Sequence, residues 1–317
     1  MLRFLAAAVV AGTILLSASE NTAHAFCRTT TVGIPANYNP VDRGCFTEGL
    51  FLFWRNQCVS YSVSEQASRV ADFDTATTII NRAFARWPAV TCSGSAVGIQ
   101  VSNIGPTTCT EVRYNPDSAN QNMIVFRDDG WPYNDAYSTL GLTTVTFNAD
   151  TGEIFDADME INSSQRNLVA GDTIPKNGFD LESVVTHEAG HFFGLAHSQD
   201  KTATMYASYA PGTTILRTLS QDDVKGLCEI YPDANTRNVS EKAAAGGSLK
   251  ADACNPAPRH GYTRVCEDPK DDSSCDVVPS SKPRSPAGSF AALGVVALGL
   301  FAIRRRSSGL RSPSRRD

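Results

Sequence analysis

The chain has 317 residues, of which 42% are hydrophobic and 19% are charged, and its formal net charge at pH 7 is -5. This balance supports a packed globular core and excludes a disordered or fibrous protein. Because the net charge is acidic and no broad basic field is present, nucleic acid is not an expected partner.

Residues 1–25 have the features of a secretory signal peptide. Arg3 supplies a positive start, residues 4–16 are apolar but too short to span a bilayer comfortably, and residues 23–25 form an A-x-A cleavage motif. We therefore expect an exported, extracellular or cell-surface protein whose mature chain begins at Phe26. The alternative for this segment is an ordinary buried helix.

The cysteines are consistent with export. None of them forms a C-x-x-C pair, so a cysteine zinc cluster is not expected. Disulfides formed in an oxidising compartment explain them better, although sequence alone leaves the pairing open. The odd total leaves at least one thiol free, intermolecular or removed by processing. The nine are Cys27, Cys45, Cys58, Cys92, Cys109, Cys228, Cys254, Cys266 and Cys275.

A short N-terminal segment, residues 26–53, precedes a domain that extends over residues 54–233. Apolar alternation favours strands in this domain, and apolar positions at a period of three to four residues favour helices. The strands come mainly first and the two later helices follow them, which favours an α+β architecture. In chain order we predict a strand over 58–63, a helix over 73–87, strands over 97–101, 123–126 and 140–147, a helix that begins at Leu181 after the N-cap Asp180, and a last helix from Ser220 through Ile230.

The stretch HEAGHFFGLAHS, which begins at His187, carries the strongest chemical pattern. Residues four apart on a helix share a face, so His187 and His191 point the same way. Gly194 can take the left-handed conformation that ends a helix, and the chain then returns with His197. Three neutral imidazoles that leave a position open for water are a catalytic zinc arrangement. We therefore predict one catalytic Zn²⁺ held by these three histidines.

Glu188 is predicted to be the general base. It projects about a quarter-turn away from the ligand face, so it need not bind the ion. It can take a proton from a coordinated water whose pKa the ion lowers toward about 7. The pattern predicts peptide hydrolysis without a covalent intermediate. The alternatives are satisfied core histidines or a structural zinc, which usually has four protein ligands.

The motif H-E-x-x-H-x-x-G-x-x-H resembles that of the metzincin zinc peptidases. Met205, eight residues after His197, is similar in position to the methionine of their Met-turn. That spacing, together with Ser198 after the third histidine, resembles the matrixin (matrix metalloproteinase, peptidase M10) branch. Astacin-like enzymes carry Glu and Tyr where Ser198 and Ala207 stand here. The resemblance extends over residues 54–232.

The resemblance implies a twisted, mostly parallel sheet with an active-site helix and a C-terminal closing helix in LSQDDVKGLCEIYP, from Leu219. A substrate would lie extended along an edge strand, residues 140–146. The residues between Met205 and Ser220 would shape the pocket beyond the scissile bond. The histidines outside the motif lie in the signal segment and the tail, so the second, structural zinc of many matrixins is not expected here.

Two further family features are open. Asp156, Asp158 and Glu160 resemble an acidic segment where relatives bind calcium, and carboxylates suit this hard cation. The spacing differs, however, and a solvated strand face would explain the same alternation. Relatives also block the zinc with a pro-segment cysteine, for which Cys27 or Cys45 is available, although disulfide bonding is the alternative fate.

The C-terminal part divides into three segments. Residues 234–286 form a polar, cysteine-containing linker, residues 287–306 an apolar helix followed by an arginine cluster, and residues 307–317 a basic tail. The apolar run is at the lower limit for spanning a membrane. The arrangement resembles the C-terminal sorting signals of some bacterial surface proteins and implies membrane anchoring or cleavage after sorting. The alternative is a core helix with a basic tail.

Together these patterns predict an exported zinc endopeptidase that acts on proteins or peptides. Two other functions compete with it. A catalytically silent surface protein could keep the same fold for binding, although zinc affinity alone does not require Glu188. A zinc amidase acting on the cell wall is the third hypothesis, and the Met-turn pattern disfavours it. The oligomeric state is open.

Overall fold

The computed structural model describes residues 25–35, 38–66, 68–164, 167–233, 256–266 and 293–302. The expected signal peptide therefore lies outside the described residues, apart from Ala25. The helices are α1 Pro40–Arg43, α2 Phe73–Ala85, α3 Leu181–Phe192 and α4 Gln221–Ile230, with a 3₁₀ turn at Ile215–Arg217. The strands are β1 Cys27–Arg28, β2 Cys58–Ser64, β3 Thr91–Cys92, β4 Ser95–Ala96, β5 Gln100–Thr107, β6 Met123–Phe126, β7 Thr139–Asn148, β8 Ile154–Ile161, β9 Leu168–Val169, β10 Phe179–Asp180, β11 Leu195–Ala196, β12 Ser208–Tyr209 and β13 Leu293–Ala302.

The central sheet has the strand order β12-β13-β7-β8-β6-β2-β5. Strands β5, β2, β6 and β8 form a parallel set, whereas β7 runs antiparallel to both β8 and β13. Helix α3 contacts β7 and β8 of the sheet and also packs against α2. The predicted α+β class, with a mostly parallel sheet, an active-site helix and a C-terminal helix, is confirmed.

Aromatic side chains hold α3 in place. Phe84 of α2 makes an edge contact with Phe192 of α3, with ring centroids 5.2 Å apart, and stacks on Tyr61 of β2 at 4.2 Å. The Trp87 indole N–H donates to the Thr186 carbonyl oxygen at 3.0 Å. Buried aromatic contacts of this kind stabilise beyond the area they bury. They fix the helix that carries the histidine motif against the sheet.

Most predicted elements form close to their expected bounds, and two differ for identifiable reasons. Helix α2 ends at Ala85 rather than at the expected 87, because the residue before Pro88 is disfavoured in the helical region. The strand expected over 97–101 forms later, as β5. Val97 instead pairs with Asp233 in an isolated bridge, which ties this segment to the chain that leaves α4.

The apolar helix expected over 287–306 is corrected by the structure, since residues 293–302 form strand β13. Gly294 and Gly299 weaken a helix and the two valines at 295 and 296 favour a strand. The strand pairs antiparallel with β7 from Leu293 to Phe301. Its backbone N–H and C=O groups therefore form hydrogen bonds with β7 instead of within a helix. Among the described residues, no helix is long and apolar enough to cross a membrane.

Three disulfides cross-link the described part of the chain: Cys27–Cys45, Cys92–Cys228 and Cys109–Cys266. The expectation that the cysteines form disulfides is therefore confirmed for these six residues. Because Cys27 and Cys45 are bonded to each other, neither offers a thiolate to block a metal. Strand β1 also pairs with β11, so the segment over residues 26–53 packs on the domain.

Candidate metal centre

The predicted metal-binding motif begins on the buried helix α3. Asp180 caps the helix as expected, since its carboxylate accepts the backbone N–H of Ser183 at 3.0 Å. His187 and His191 follow one turn apart on one face. Every side chain of the helix is buried, including both histidines and Glu188. The motif is therefore set in the interior rather than on a solvated helix face.

Gly194 reverses the chain after the helix. Its φ of +96° lies in the left-handed region that glycine adopts without strain, and its N–H donates to the His191 carbonyl oxygen at 2.9 Å. A Cβ at this position would also lie 2.9 Å from the Leu52 carbonyl oxygen. The chain then passes through β11 and delivers His197, as the sequence predicted.

The three histidine rings converge on one point. The Nε2 atom of His191 lies 3.1 Å from Nε2 of His187 and 3.3 Å from Nε2 of His197. The three ligand atoms all lie within 4.8 Å of one another. Within the described residues, no other group of three or more His, Cys, Asp or Glu side chains brings its ligand atoms together in this way. The structure thus joins all three predicted zinc ligands.

Backbone carbonyls select the histidine tautomers. His187 Nδ1 lies 2.6 Å from the Thr204 carbonyl oxygen, and His191 Nδ1 lies 2.8 Å from that of Leu195. A carbonyl oxygen only accepts, so each Nδ1 carries the proton and each Nε2 keeps its lone pair. Burial, followed by the neighbouring histidines, lowers the pKa of His187 to about 3 and that of His191 well below its usual value.

These features fit a zinc ion. Both buried rings are neutral at physiological pH, which is the form that binds metal. Lone pairs of His187 and His191 that face each other at 3.1 Å repel, and a cation between them would turn that repulsion into coordination. The carbonyl bonds to Nδ1 are the outer contacts that orient zinc-binding imidazoles. Three imidazole nitrogens are a donor set that zinc accepts in catalytic sites.

Glu188 is held by strand β7. The Thr143 hydroxyl donates to the Glu188 Oε2 at 2.8 Å and lies 3.1 Å from the Glu188 carbonyl oxygen. A Cβ at Gly141 would lie 2.9 Å from Glu188 Oε1, so a larger residue at this position would crowd the Glu188 carboxylate. The sequence predicted Glu188 as the base but did not identify Thr143 or Gly141. A Thr and a Gly two residues apart in a strand carry no signal of this contact.

Met205 packs directly beneath the motif. A Cβ at Gly190 would collide with Met205 Sδ and would lie 2.8 Å from the Trp87 ring. The Met205 side chain is fully enclosed, and its carbonyl oxygen accepts the N–H of Ser198 at 2.8 Å. Glycine between the two helix histidines therefore lets the predicted methionine approach the helix backbone.

Helix α4 supports this turn through Asp223, which sequence analysis did not assign to the site. The Asp223 carboxylate accepts the N–H of Thr204 at 2.8 Å and that of Met205 at 3.0 Å. The same carboxylate forms a capping box with Ser220 at the start of α4. Burial raises the pKa of Asp223, and the hydrogen bonds oppose that rise. Since Thr204 also orients His187, α4 is coupled to the metal centre.

The acidic strand β8 does not form a comparable site. Asp158 accepts the N–H of Met123 at 2.8 Å, and Glu160 is bonded to Arg127. Burial and the neighbouring carboxylate raise the pKa of Asp156 well above its usual value, and burial raises the pKa of Asp158 to about 8. The strand is buried, so it is not a solvated face either. Calcium at Asp156, Asp158 and Glu160 is therefore not supported.

Comparisons with known proteins agree with this geometry. The Peptidase_M10 matrixin family model matches residues 53–232. The chain is 26% identical to Metalloendoproteinase 1-MMP of Arabidopsis thaliana over 185 aligned residues. The aligned residues cover 56% of this chain and 44% of the relative. It is 49% identical over 55 residues to Metalloendoproteinase 1 of Glycine max, covering 17% of this chain and 18% of the relative.

Human matrilysin is 43% identical over 54 residues, which cover 17% of this chain and 20% of the relative. The matched part thus spans less than half the length of these relatives. The family match nevertheless covers more than half of the chain and contains the three histidines, Glu188 and Met205. The chain therefore belongs to the matrixin family, peptidase M10.

Proposed function

We propose that this protein is an exported zinc-dependent endopeptidase that hydrolyses peptide bonds of proteins. The observation that carries the proposal is the convergence of three Nε2 atoms within 4.8 Å, two of them from the helix that also buries Glu188. Zinc affinity alone does not require a carboxylate at that position. A hydrolase needs a group there that accepts and returns a proton.

The residues of the site have separable roles. His187, His191 and His197 would hold the ion, and a bound Zn²⁺ would acidify water and polarise a peptide carbonyl. Glu188 accepts the proton of the attacking water and passes it to the leaving amine. Thr143 orients the Glu188 carboxylate through the bond to Oε2.

The substrate would bind in an extended conformation along β7. Main-chain pairing with an edge strand recruits peptides without strict sequence requirements, and side-chain pockets then add selectivity. The β7 residues that contact Glu188 are Gly141 and Thr143, so this stretch of the edge lies beside the general base. The segment after Met205, with β12, would bound the other side.

Export is supported by the cross-links rather than by the leader, which the structure does not describe. Disulfides persist in oxidising compartments and are rare in the cytosol. Together with the signal-like residues 1–25, the three disulfides favour a secreted or cell-surface location. The described residues lend no support to membrane anchoring through the tail.

The test is a Glu188→Gln substitution in the zinc-loaded full chain. We expect zinc content by atomic emission to stay at one ion, while cleavage of casein and of a fluorogenic peptide falls by about 10²–10⁴-fold, the contribution of a general base. The matched control is Glu111→Gln, at a largely exposed carboxylate, which should leave the rate unchanged.

Full activity of the Glu188→Gln protein would show that the assigned base is wrong. Wild-type protein that holds one zinc and cleaves nothing in a diverse peptide library would contradict the proposal and favour a silent binding protein of the same fold. Activity on peptidoglycan but not on proteins would favour the cell-wall amidase.

A further inference from the structure

Strand β13 occupies the stretch of β7 that lies beside the general base. In the antiparallel register Leu298 is opposite Thr143, and Leu300 is opposite Gly141. These two β7 positions are the ones that contact the Glu188 carboxylate. Residues 293–302 therefore take the edge on which the proposed substrate would pair.

The second side of β13 is bounded as well. Its last two residues, Phe301 and Ala302, pair in parallel with β12 at Ser208 and Tyr209. Strand β12 follows the turn of Met205, and β13 also contacts α3. An extended chain segment thus lies between β7 and β12 and over the metal-binding helix, as a bound peptide would.

Leu298 anchors this segment. Its side chain is only 6% exposed and belongs to the main hydrophobic cluster, which also contains Val184 of α3, Tyr209 of β12 and Leu216. Burying a leucine side chain removes apolar surface from water and so stabilises the docked strand. The position opposite Thr143 therefore accepts an apolar side chain, which gives the groove an affinity beyond main-chain pairing.

We propose that residues 293–302 are an internal competitor of substrate: they fill the groove between β7 and β12, and their displacement or removal opens the metal centre. This inference rests on the proposed peptidase function and adds a regulation of the same site. Residues 267–292 join the strand covalently to the domain, so its binding is intramolecular. A covalently tethered segment competes as an intramolecular ligand, so it can occupy the groove even when its intrinsic affinity is modest.

The first experiment compares the zinc-loaded full chain with its Leu298→Asp variant on a fluorogenic peptide. A buried carboxylate weakens the docking of β13, so we expect kcat/KM to rise about tenfold through a lower apparent KM, with kcat unchanged. Leu50→Asp makes the same change at a leucine that is 45% exposed, and it should leave kcat/KM unaltered. Equal kcat/KM for wild type and Leu298→Asp, or a variant that loses thermal stability without gaining activity, would overturn the inference in favour of a structural strand.

The second experiment needs no turnover. In a full chain that carries Glu188→Gln and a site for a sequence-specific protease inserted within residues 280–286, the folded zinc protein is nicked and the released segment is washed away. A fluorescent peptide with the sequence LGVVALGLFA of residues 293–302, flanked by lysines for solubility, should bind the nicked protein at least about tenfold more tightly than the intact one. A Leu→Asp peptide, changed at the position of Leu298, is the matched control and should bind weakly to both.

Equal binding of the peptide to nicked and intact protein would overturn the inference. The two proposals fail in different ways. If nicked protein without the Glu188 substitution holds zinc and still cleaves no peptide, the peptidase function fails, while the binding measurement still reports whether the groove is occupied. If intact and nicked proteins cleave peptides at the same rate, the function stands and the competitor role does not.

Discussion

Helix α3 and strand β8 both carry titratable side chains at regular spacing along one face, and they use them differently. On α3 each histidine satisfies one ring nitrogen with a backbone carbonyl and turns the other toward a shared point. On β8 Asp158 accepts the Met123 N–H and Glu160 pairs with Arg127, so these two carboxylates have separate partners. Gly194 also brings His197 from another direction, whereas side chains on a strand stand side by side. Regular spacing predicts a metal centre only when the remaining donor atoms converge.

The largest effect is expected when one candidate ligand side chain is removed from α3 and, for comparison, one from β8. His191→Ala should lower zinc affinity by at least about 10²-fold and abolish peptide cleavage, because the central ligand is lost and lone pairs remain buried. Asp158→Asn should retain one zinc ion. His260→Asn, at a histidine with positive φ outside the site, is the control for general effects of losing an imidazole. Zinc content by atomic emission measures all three, and a fully loaded His191→Ala protein would refute the assignment.

A smaller effect is expected where the sheet supports the helix. Thr143→Val keeps the shape of the side chain but removes the hydroxyl that donates to Glu188 Oε2. A hydrogen bond to a charged group contributes about 1.5–3 kcal/mol, so kcat should fall by about ten- to a hundredfold with zinc retained. Thr144→Val, one residue along β7, makes the same change away from that contact. An unchanged kcat for Thr143→Val would show that β7 does not position the base.

The smallest effect concerns the pH dependence of stability. The raised pKa of Asp158, about 8, means that the folded state holds a proton that the unfolded chain has already lost above about pH 4. This contribution to stability is complete at low pH and is lost as the pH rises toward 8. Asp158→Asn should therefore weaken the fall in the free energy of unfolding between pH 5 and pH 8 by about 1–3 kcal/mol.

Denaturant titrations of the zinc-loaded proteins at the two pH values measure this difference. Asp150→Asn, at an exposed turn position, should keep the wild-type pH dependence. A free energy of unfolding that falls between pH 5 and pH 8 as steeply in Asp158→Asn as in the wild type would contradict the assignment of a protonated Asp158 in β8.

Local patterns predicted the parts of the site that local geometry determines. The cap at Asp180, the face shared by His187 and His191 and the turn at Gly194 all depend on neighbours within a few residues. The spacing from His197 to Met205 was informative only through the family resemblance. The structure gives a physical reason for this spacing. The Met205 side chain approaches the backbone of α3 at Gly190 so closely that only glycine fits there.

The rest could not be predicted because it joins distant segments. Thr143 lies 45 residues from Glu188 in sequence, and Asp223 lies 18 residues from Met205, so no periodicity connects them. The apolar C-terminal run was predicted as a helix from hydrophobicity alone, which does not separate a helix from a buried strand. Its outcome depends on the edge of β7, which offers backbone partners only in the folded protein.

The disulfide Cys92–Cys228 has a consequence for producing this protein. It joins the hairpin β3–β4 to the helix whose Asp223 holds the Met205 turn, across a separation of 136 residues. Closing a loop of that size removes conformational entropy from the unfolded chain worth about 4–5 kcal/mol in the chain-entropy model. A host whose cytoplasm keeps thiols reduced would therefore yield a protein in which α4, and with it the Met205 turn beneath the histidines, is less stable. Recombinant protein is best produced by secretion or refolded in oxidising redox buffers.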